Sequence, residues 1–397
     1  VVTYQIATKL KISYIAGMES PFKYGKIVEG RFFTDREDDT ARLVSDFENN
    51  INSILISPRR WGKSSLVRKA ANKFKRENHE VRVCFIDLFN IRNEGQFYAY
   101  FAKQVIKAAS GKPEEWLNTA KQFLKKITPS VSFPVEHIGD FELSFKLDEK
   151  SEDFEEILNL PEKISEKKKI KILICIDEFQ NLSYFDAPLV FQKRLRASWQ
   201  KHKHAVYCVY GSQSHMMTAL FEDKSMPFYK FGDVLYLQKI KMEYLVKFIT
   251  DSFRNTGKTI EPQTASEIVN NMECHPYYVQ QLAHLVWIRT AKKASADILK
   301  SALDDMLTQN APLYMRDVDS FSNTQISFIK ALIDGRQSNL YNNNIIREYE
   351  LGTTGNVSKI IHALTKKDVI QKVNEKYEFI DPAFKLWIKR VYLKSSF

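Results

Sequence analysis

The sequence predicts an α/β protein: a parallel sheet carrying a phosphate-binding loop, then a helical segment, then a winged helix-turn-helix. Three observations predict it. The apolar run Ile54-Leu55-Ile56 stops at a turn, and Gly62-Lys63-Ser64 leads into a helical pattern of Leu66, Val67, Ala70, Ala71 and Phe74. A second apolar run, Ile172 to Ile176, ends in two carboxylates, Asp177 and Glu178. Beyond Phe321, three helical patterns precede two short β patterns. Strand, loop and helix around a Gly-Lys-Ser is the layout that binds phosphate, because the amides at the helix start and the helix dipole both favour an anion.

Composition sets the outer bounds. A chain of 397 residues holds two or three domains. With 44% apolar and 13% aromatic residues it can fill packed cores. No run approaches the roughly 20 apolar residues of a membrane helix. The formal net charge is +11, from 59 Lys+Arg against 48 Asp+Glu. That permits nucleic acid or acidic partners, and equally a basic surface with no specific polyanion. Cys84, Cys175, Cys208 and Cys274 show no metal or redox spacing, and three sit inside apolar runs. They imply a reducing cytoplasm.

Residues 1–17 stand apart. Val1 is not an initiator, Met18 is the first methionine, and Lys9 and Lys11 interrupt any signal-peptide core. The expectation is an upstream extension, with the functional protein beginning near Met18. From Pro21 to Arg36 the chain is aromatic and basic, and Thr34 or Asp35 caps a helix carrying Leu43, Val44 and Phe47. Arg36 is a candidate to meet an adenine ring or to form a helix-surface salt bridge.

The loop itself reads Ser57-Pro58-Arg59-Arg60-Trp61-Gly62-Lys63-Ser64-Ser65. It departs from G-x-x-x-x-G-K-[ST] at the first position, where Ser57 replaces glycine. Lys63 can reach the β- and γ-phosphates, and the Ser64 hydroxyl can ligate Mg²⁺. Taken alone, the segment also fits an ordinary strand–turn–helix with an exposed lysine.

Val81 to Leu88 reads as a buried parallel strand. Helices are expected over about 95–109 and 114–126. The alternations Val131, Phe133, Val135 and Phe141, Leu143, Phe145 predict a hairpin inserted at 129–147. One charged helix is expected over about 152–168. Asp177 and Glu178 then stand at the C-terminal end of a buried strand, the edge where open α/β sheets bind ligands. There Asp177 can hold Mg²⁺ through water, and Glu178 can activate the attacking water. The alternative for the pair alone is a solvated acidic turn. A third strand, Ala205 to Gly211, ends in Ser212-Gln213-Ser214, where a polar side chain could sense a γ-phosphate. Arg194 and Arg196 precede it as candidates for an arginine finger or as plain exposed helical arginines.

A short strand spans Val234 to Leu237, and helices follow to about Leu313. Pro276 suits the first turn of one of them, where its missing N–H costs nothing. The helices marked by Ile326 to Ile333, Asn344 to Tyr349 and Asn356 to Leu364, with the hairpin Val369 to Ile380, predict the winged helix. The expected organisation is therefore an extension at 1–17, a core over 18–238, a helical lid over 239–318 and a winged helix over 319–397.

Several pieces now stand in a recognisable order: the Ser57–Ser65 loop, Ile176-Asp-Glu-Phe-Gln180, Gly211-Ser-Gln213, Pro227-Phe-Tyr229, His275-Pro-Tyr-Tyr278 and Ile380-Asp-Pro-Ala-Phe-Lys-Leu-Trp-Ile388. Together they resemble the archaeal-type ATPases of the AAA+/STAND lineage: an AAA+-like P-loop NTPase sheet, a helical lid and a winged helix. The resemblance implies ATP/ADP and Mg²⁺ as ligands, with slow hydrolysis switching lid and winged helix. By position it implies Lys63 and Ser64 on phosphate and metal, Asp177 and Glu178 as the metal and water-activating pair, and Ser212 or Gln213 as sensor. It also implies Pro276 as the lid proline on the nucleotide, and Arg36 near adenine. Relatives often place an arginine after the Pro-x-Tyr piece, where this chain has Lys230. Some carry a nuclease-like domain after the winged helix; none is expected here. AAA+ relatives form rings, whereas many STAND proteins stay monomeric until activated, so the oligomeric state stays open.

The main expectation is an ATPase switch with an unnamed protein partner and no membrane. The alternative is a DNA-binding regulator whose nucleotide site is structural or regulatory. Residues 321–397 hold twelve Lys/Arg and seven Asp/Glu, 12 − 7 = +5, with Lys359, Lys366, Lys367, Lys372 and Lys376 on the third helix, the turn after it and the wing. A scaffold that uses the lid to hold another protein is the third possibility.

Overall fold

The computed structural model describes residues 19–28, 30, 34–124, 129–132, 142–145, 153–373 and 375–393. It divides into two compact units, Arg36–Gln238 and Lys239–Phe397, the second including the residues before Arg36. The expected extension at 1–17 and the hairpin turn at 137–140 lie outside the described residues.

The first unit runs α1 (Glu37–Glu48), β1 (Ser53–Ile56), α2 (Lys63–Glu77), β2 (Val81–Asp87), α3 (Glu94–Ala109), α4 (Pro113–Phe123), β3 (Pro129–Ser132) and β4 (Glu142–Phe145). It continues with α5 (Asp153–Leu158), α6 (Leu160–Lys168), β5 (Lys171–Asp177), α7 (Pro188–Trp199), β6 (Ala205–Gly211), α8 (Ser214–Glu222) and β7 (Asp233–Tyr236). Five strands form one sheet in the order β2-β5-β6-β1-β7, every pair parallel. A parallel sheet is covered on both faces, which is why its strands read as unbroken apolar runs. Side chains alternate between the faces. Ile174, Ile176, Tyr207 and Val209 pack on one face with Phe97, Phe101, Phe179, Trp199 and Phe228. Trp199 stacks on Tyr207 with ring centroids 4.3 Å apart. Phe228, from the Pro227-Phe-Tyr229 piece, is a fully buried member of this core. On the other face Phe47 of α1 meets Phe74 of α2, and the Arg68 guanidinium of α2 lies 4.7 Å over Phe85.

The register aligns the strand ends. Ile56 is level with Gly211 and Tyr236, and Asp87 with Asp177. The expected hairpin insertion is present as β3 paired antiparallel with β4, Pro129 opposite Phe145. One expectation is corrected: the single helix over 152–168 is two, α5 and α6. Pro161 lies in the first turn of α6, where it lacks the N–H that would continue α5.

The second unit holds α9 (Met242–Arg254), α10 (Pro262–Asn271), α11 (Pro276–Arg289), α12 (Ala296–Asp319), α13 (Asn323–Ile333), α14 (Asn343–Glu348), α15 (Thr354–Lys366), β8 (Ile370–Val373), β9 (Lys376–Phe379) and α16 (Pro382–Trp387). The helices α13 to α15 and the antiparallel β8–β9 pair make the winged helix. Ser322 and Gln325 close a capping box at the start of α13. One continuous apolar core runs from Phe253 and Val286 through Leu303 and Tyr314 to Phe384 and Trp387. The lid and the winged helix therefore share their interior. Tyr278 of α11 donates to Asp381, which caps α16, and Lys385 pairs with Glu273.

The segment at 19–24 differs from the expectation that it belongs to the ATPase core. Phe22 is buried against Phe248 and Phe253, at 5.9 and 5.8 Å, and the Lys23 amide donates to Gln280 (3.0 Å). An aromatic in sequence signals burial, but not against what. Among the described residues no helix is long and apolar enough to cross a membrane.

Candidate functional site

The loops after β1, β5 and β6 converge at the C-terminal edge of the sheet, and each brings one part of a polar cluster. The first spans residues 57–62 between β1 and α2. Its left-handed positions are Arg60 (φ 65°) and Gly62 (φ 88°). Ser57 lies outside that region, so the missing glycine costs no backbone strain there. Ser57 is buried and its hydroxyl donates to the Pro58 carbonyl (3.2 Å). Trp61 is buried and anchors the loop, whereas Arg59 and Arg60 are exposed. Gly62 caps α2 without a side chain, and the first turn holds no acidic residue. The positive end of the helix dipole is thus left uncompensated by any carboxylate of that turn.

Lys63 opens α2, and its side chain is only 10% exposed. Its Nζ lies 3.4 Å from Glu178 Oε1 and 3.9 Å from Asp177 Oδ1. Ser64 donates from Oγ to Asp177 Oδ2 (2.7 Å), and the Glu178 amide donates to Asp177 Oδ1 (2.8 Å). Ser65 is buried behind them. Glu178 itself adopts a left-handed backbone (φ 52°), a conformation that costs about 1–3 kcal/mol in a non-glycine residue and clusters at functional sites. Its Oε2 accepts from Ser212 Oγ (2.9 Å), the Ser212 amide (3.3 Å) and Gln180 Nε2. Arg59 Nε reaches the same Ser212 hydroxyl (3.4 Å).

The two carboxyls are pushed apart. Burial raises Asp177 above the usual carboxylate range, and Lys63 and Ser64 offset this only partly. Burial also pushes Glu178 upward, but Lys63 together with Gln180 and Ser212 outweighs it and holds the group below the usual range.

The remaining candidates are placed as follows. Gln213 stands apart from the cluster: its Oε1 accepts from Tyr184 Oη (3.2 Å). Arg36 is buried, with Nη1 on Asp39 (3.2 Å), which is the salt-bridge option and not an exposed arm. Pro276 belongs to the second unit, where it opens α11 after the N-cap His275. Arg194 pairs with Glu94 (3.0 Å) and Arg196 lies 5.0 Å over Phe231, so both are engaged in packing the first unit. Lys230 lies over its neighbour Tyr229 at 5.5 Å.

Two residues were not assigned a role from the sequence. Gln180 is 1% exposed and touches Glu178. Gly211 is required by it: a Cβ there would fall 2.0 Å from Gln180 Oε1 and 2.7 Å from Met217 Sδ. The sequence signals for Gln180 are its place at the end of the Ile176-Asp-Glu-Phe-Gln180 piece and a polar side chain beside the apolar Phe179 and Leu182.

The donor set suits a nucleotide with Mg²⁺. A hydroxyl and a carboxylate are hard oxygen ligands, the kind Mg²⁺ prefers. A lysine facing this edge and a helix N-terminus whose first turn holds no carboxylate suit phosphate.

A family profile described as "ATPase domain predominantly from Archaea" matches residues 33–282, and one described as "Probable winged helix domain" matches residues 312–390. Among solved structures, the Walker-type ATPase paby2304 of Pyrococcus abyssi is 16% identical, with a TM-score of 0.65 over 93% of this chain and 99% of that one. The ORC2 protein of Aeropyrum pernix, in its ADPNP–ADP complexes, is 13% identical, with a TM-score of 0.58 over 94% and 98% of the two chains. These likenesses establish a shared fold. No curated protein sequence matches the chain.

Proposed function

The chain belongs to the family of ATPase domains found predominantly in Archaea, and on that premise we propose that it is a slow, Mg²⁺-dependent ATPase acting as a nucleotide-controlled switch. The observation that carries this reading is the meeting of Lys63, Ser64, Asp177 and Glu178 within hydrogen-bond or ion-pair reach at one sheet edge. Lys63 and the first turn of α2 would hold the phosphates. Ser64 and Asp177 would hold the ion, whose charge, when bound, neutralises phosphate oxygens. Glu178 orients a water and takes its proton at Oε1, because three donors already engage Oε2. Ser212 couples the end of β6 to that carboxylate, as a sensor would.

The switch output rests on the second unit. Tyr278–Asp381 and Lys385–Glu273 tie the lid to the winged helix, so the two move as one body. The partner that reads this movement is expected to be another protein.

Titration calorimetry of ATP and ADP, with and without Mg²⁺, followed by phosphate release, tests the reading. Parent protein should bind, and Lys63→Ala should not. A parent that binds neither nucleotide overturns it.

A DNA-binding regulator is the second reading, favoured by Lys359, Lys366 and Lys376, exposed on α15 and the wing. Two of the five expected basic groups are engaged elsewhere: Lys367 donates to Ser320 and Lys372 pairs with Glu375. Fluorescence anisotropy with random duplex at low salt decides it, and absence of binding disposes of the idea.

A further inference from the structure

We propose that Gln180 is a positioning residue for Glu178, fixing the plane of its carboxylate so that one oxygen is clamped and the other is left to take a proton from water. The inference rests on the reading of Glu178 as the water-activating base.

The geometry is that of a clamp with one open side. An ionised carboxylate is acceptor-only, so Gln180 must turn its Nε2 toward Glu178. That orientation sends its Oε1 toward Gly211, where it has no hydrogen-bond partner among the described residues. A buried acceptor left unpaired is unfavourable. The fold retains it, and the chain has a glycine at the one position whose side chain would collide with it. The next residue, Ser212, adds its hydroxyl and its amide to the same Glu178 oxygen. Three donors on Oε2 exceed the roughly two lone pairs that one carboxylate oxygen offers. Oε2 is therefore the occupied oxygen, whereas Oε1 accepts from Lys63 Nζ (3.4 Å) and opens to water once that ammonium turns to a phosphate. The terminal torsion of a glutamate is broad and its two oxygens are equivalent, so the backbone does not by itself fix the plane of the carboxylate. Gln180, locked in its own buried turn, fixes that plane together with Ser212.

The test compares parent, Gln180→Met, Gln180→Ala, Gly211→Ala and the Gln180→Ala/Gly211→Ala pair, with Glu178→Gln as reference. Three quantities are read: kcat and KM for phosphate release, ATP and ADP affinity from titration calorimetry, and the Glu178 rotamer in a crystal structure of nucleotide-free Gln180→Met. Gln180→Met keeps length and burial while removing the donor. It should lower kcat by about tenfold or more, with KM and both affinities within about twofold. Its Glu178 carboxylate should have left the parent position. Gly211→Ala should reproduce the kcat loss in the parent but add little on the Gln180→Ala background, where only the flexible Met217 side chain is left to give way. That cycle still reads the coupling if Gln180→Met folds poorly. Unchanged kcat in Gln180→Met, or a loss shared equally by kcat and nucleotide affinity, overturns the proposal. If Glu178→Gln hydrolyses ATP like the parent, the reading of Glu178 as base falls first. If Glu178→Gln is inactive while Gln180→Met is fully active, only the role of Gln180 falls.

Discussion

The strands β5 and β6 carry a polar cluster at each end, and the two clusters are built differently. At the N-terminal end, Glu162 of α6 accepts from the backbone amides of Lys203 (2.9 Å), His204 (2.9 Å) and Ala205 (3.1 Å) and from His204 Nδ1 (2.9 Å). His202 is held beside it by Asn159 (3.0 Å) and Tyr207 (2.9 Å). At the C-terminal end the partners of Asp177 and Glu178 are mostly side chains, among them the ammonium of Lys63. A carboxylate satisfied by backbone amides is fixed by folding and has nothing to exchange. One satisfied by a lysine and by hydroxyls can trade partners when an anion or a cation arrives. Glu162, Glu166 and His204 bring ligand atoms close together, yet the oxygens of Glu162 are already committed to structure. The lesson is that the type of partner, more than the density of charge, separates a cluster that can exchange partners from one that cannot.

That contrast can be broken by experiment, and the largest expected effect is at the C-terminal end. Glu178→Gln should lower turnover by about 10²–10⁴-fold while ATP affinity holds, the scale of losing a positioned base. Equal turnover in stopped-flow phosphate release would erase the distinction between the two ends.

Glu162→Ala should act in the opposite sense. It leaves the Ala205 amide without its partner, returning those of the exposed Lys203 and His204 to water, and should destabilise the fold by about 1–2 kcal/mol in urea denaturation, with nucleotide affinity unchanged. A loss of affinity at parental stability would mean the N-terminal cluster is functional after all.

The pH dependence sharpens the same contrast. Burial pushes His202 down to about 4, with Glu162 opposing. Its folded pKa is below its unfolded value near 6.5, so the unfolded chain binds more protons in between. Stability is complete above pH ~6.5 and declines as pH falls toward about 4, by roughly 3 kcal/mol for this group. Glu162, held low by its amides against the upward push of burial, adds to the loss at still lower pH. His202→Asn should flatten the acid limb of a melting-temperature profile, and an unchanged limb would remove His202 from the account.

The smallest effect is expected at the winged helix. If duplex DNA binds there, Lys359→Ala should weaken it modestly and reduce the slope of log K against log salt by about 1. An unchanged slope would place the contact elsewhere.

Much of this molecule was legible before any coordinates. The unbroken apolar runs at β1, β5 and β6 announced a parallel sheet, since strands covered on both faces need no alternation. The Gly-Lys-Ser after β1 and the acidic pair at the end of β5 announced the edge where the polar cluster gathers, because each motif is contiguous and its chemistry local. Even the break between α5 and α6 was written in Pro161, although the charged pattern around it read as one helix. What remained out of reach was pairing. Sequence could not say that Ser212, and not Gln213, would meet Glu178, or that Gln180 would lie between Glu178 and Gly211. It could not say that Phe22 would pack on Phe253, or that Arg36 would be buried against Asp39. Periodicity and motif spacing are properties of neighbours along the chain. A hydrogen bond across 34 residues, as from Ser212 to Glu178, exists only once the strands take their order in the sheet. The chain by itself determined which polar groups stand at that edge; the tertiary structure alone decided how the Glu178 carboxylate is held, because Ser212 reaches it across 34 residues only once the strands take their order.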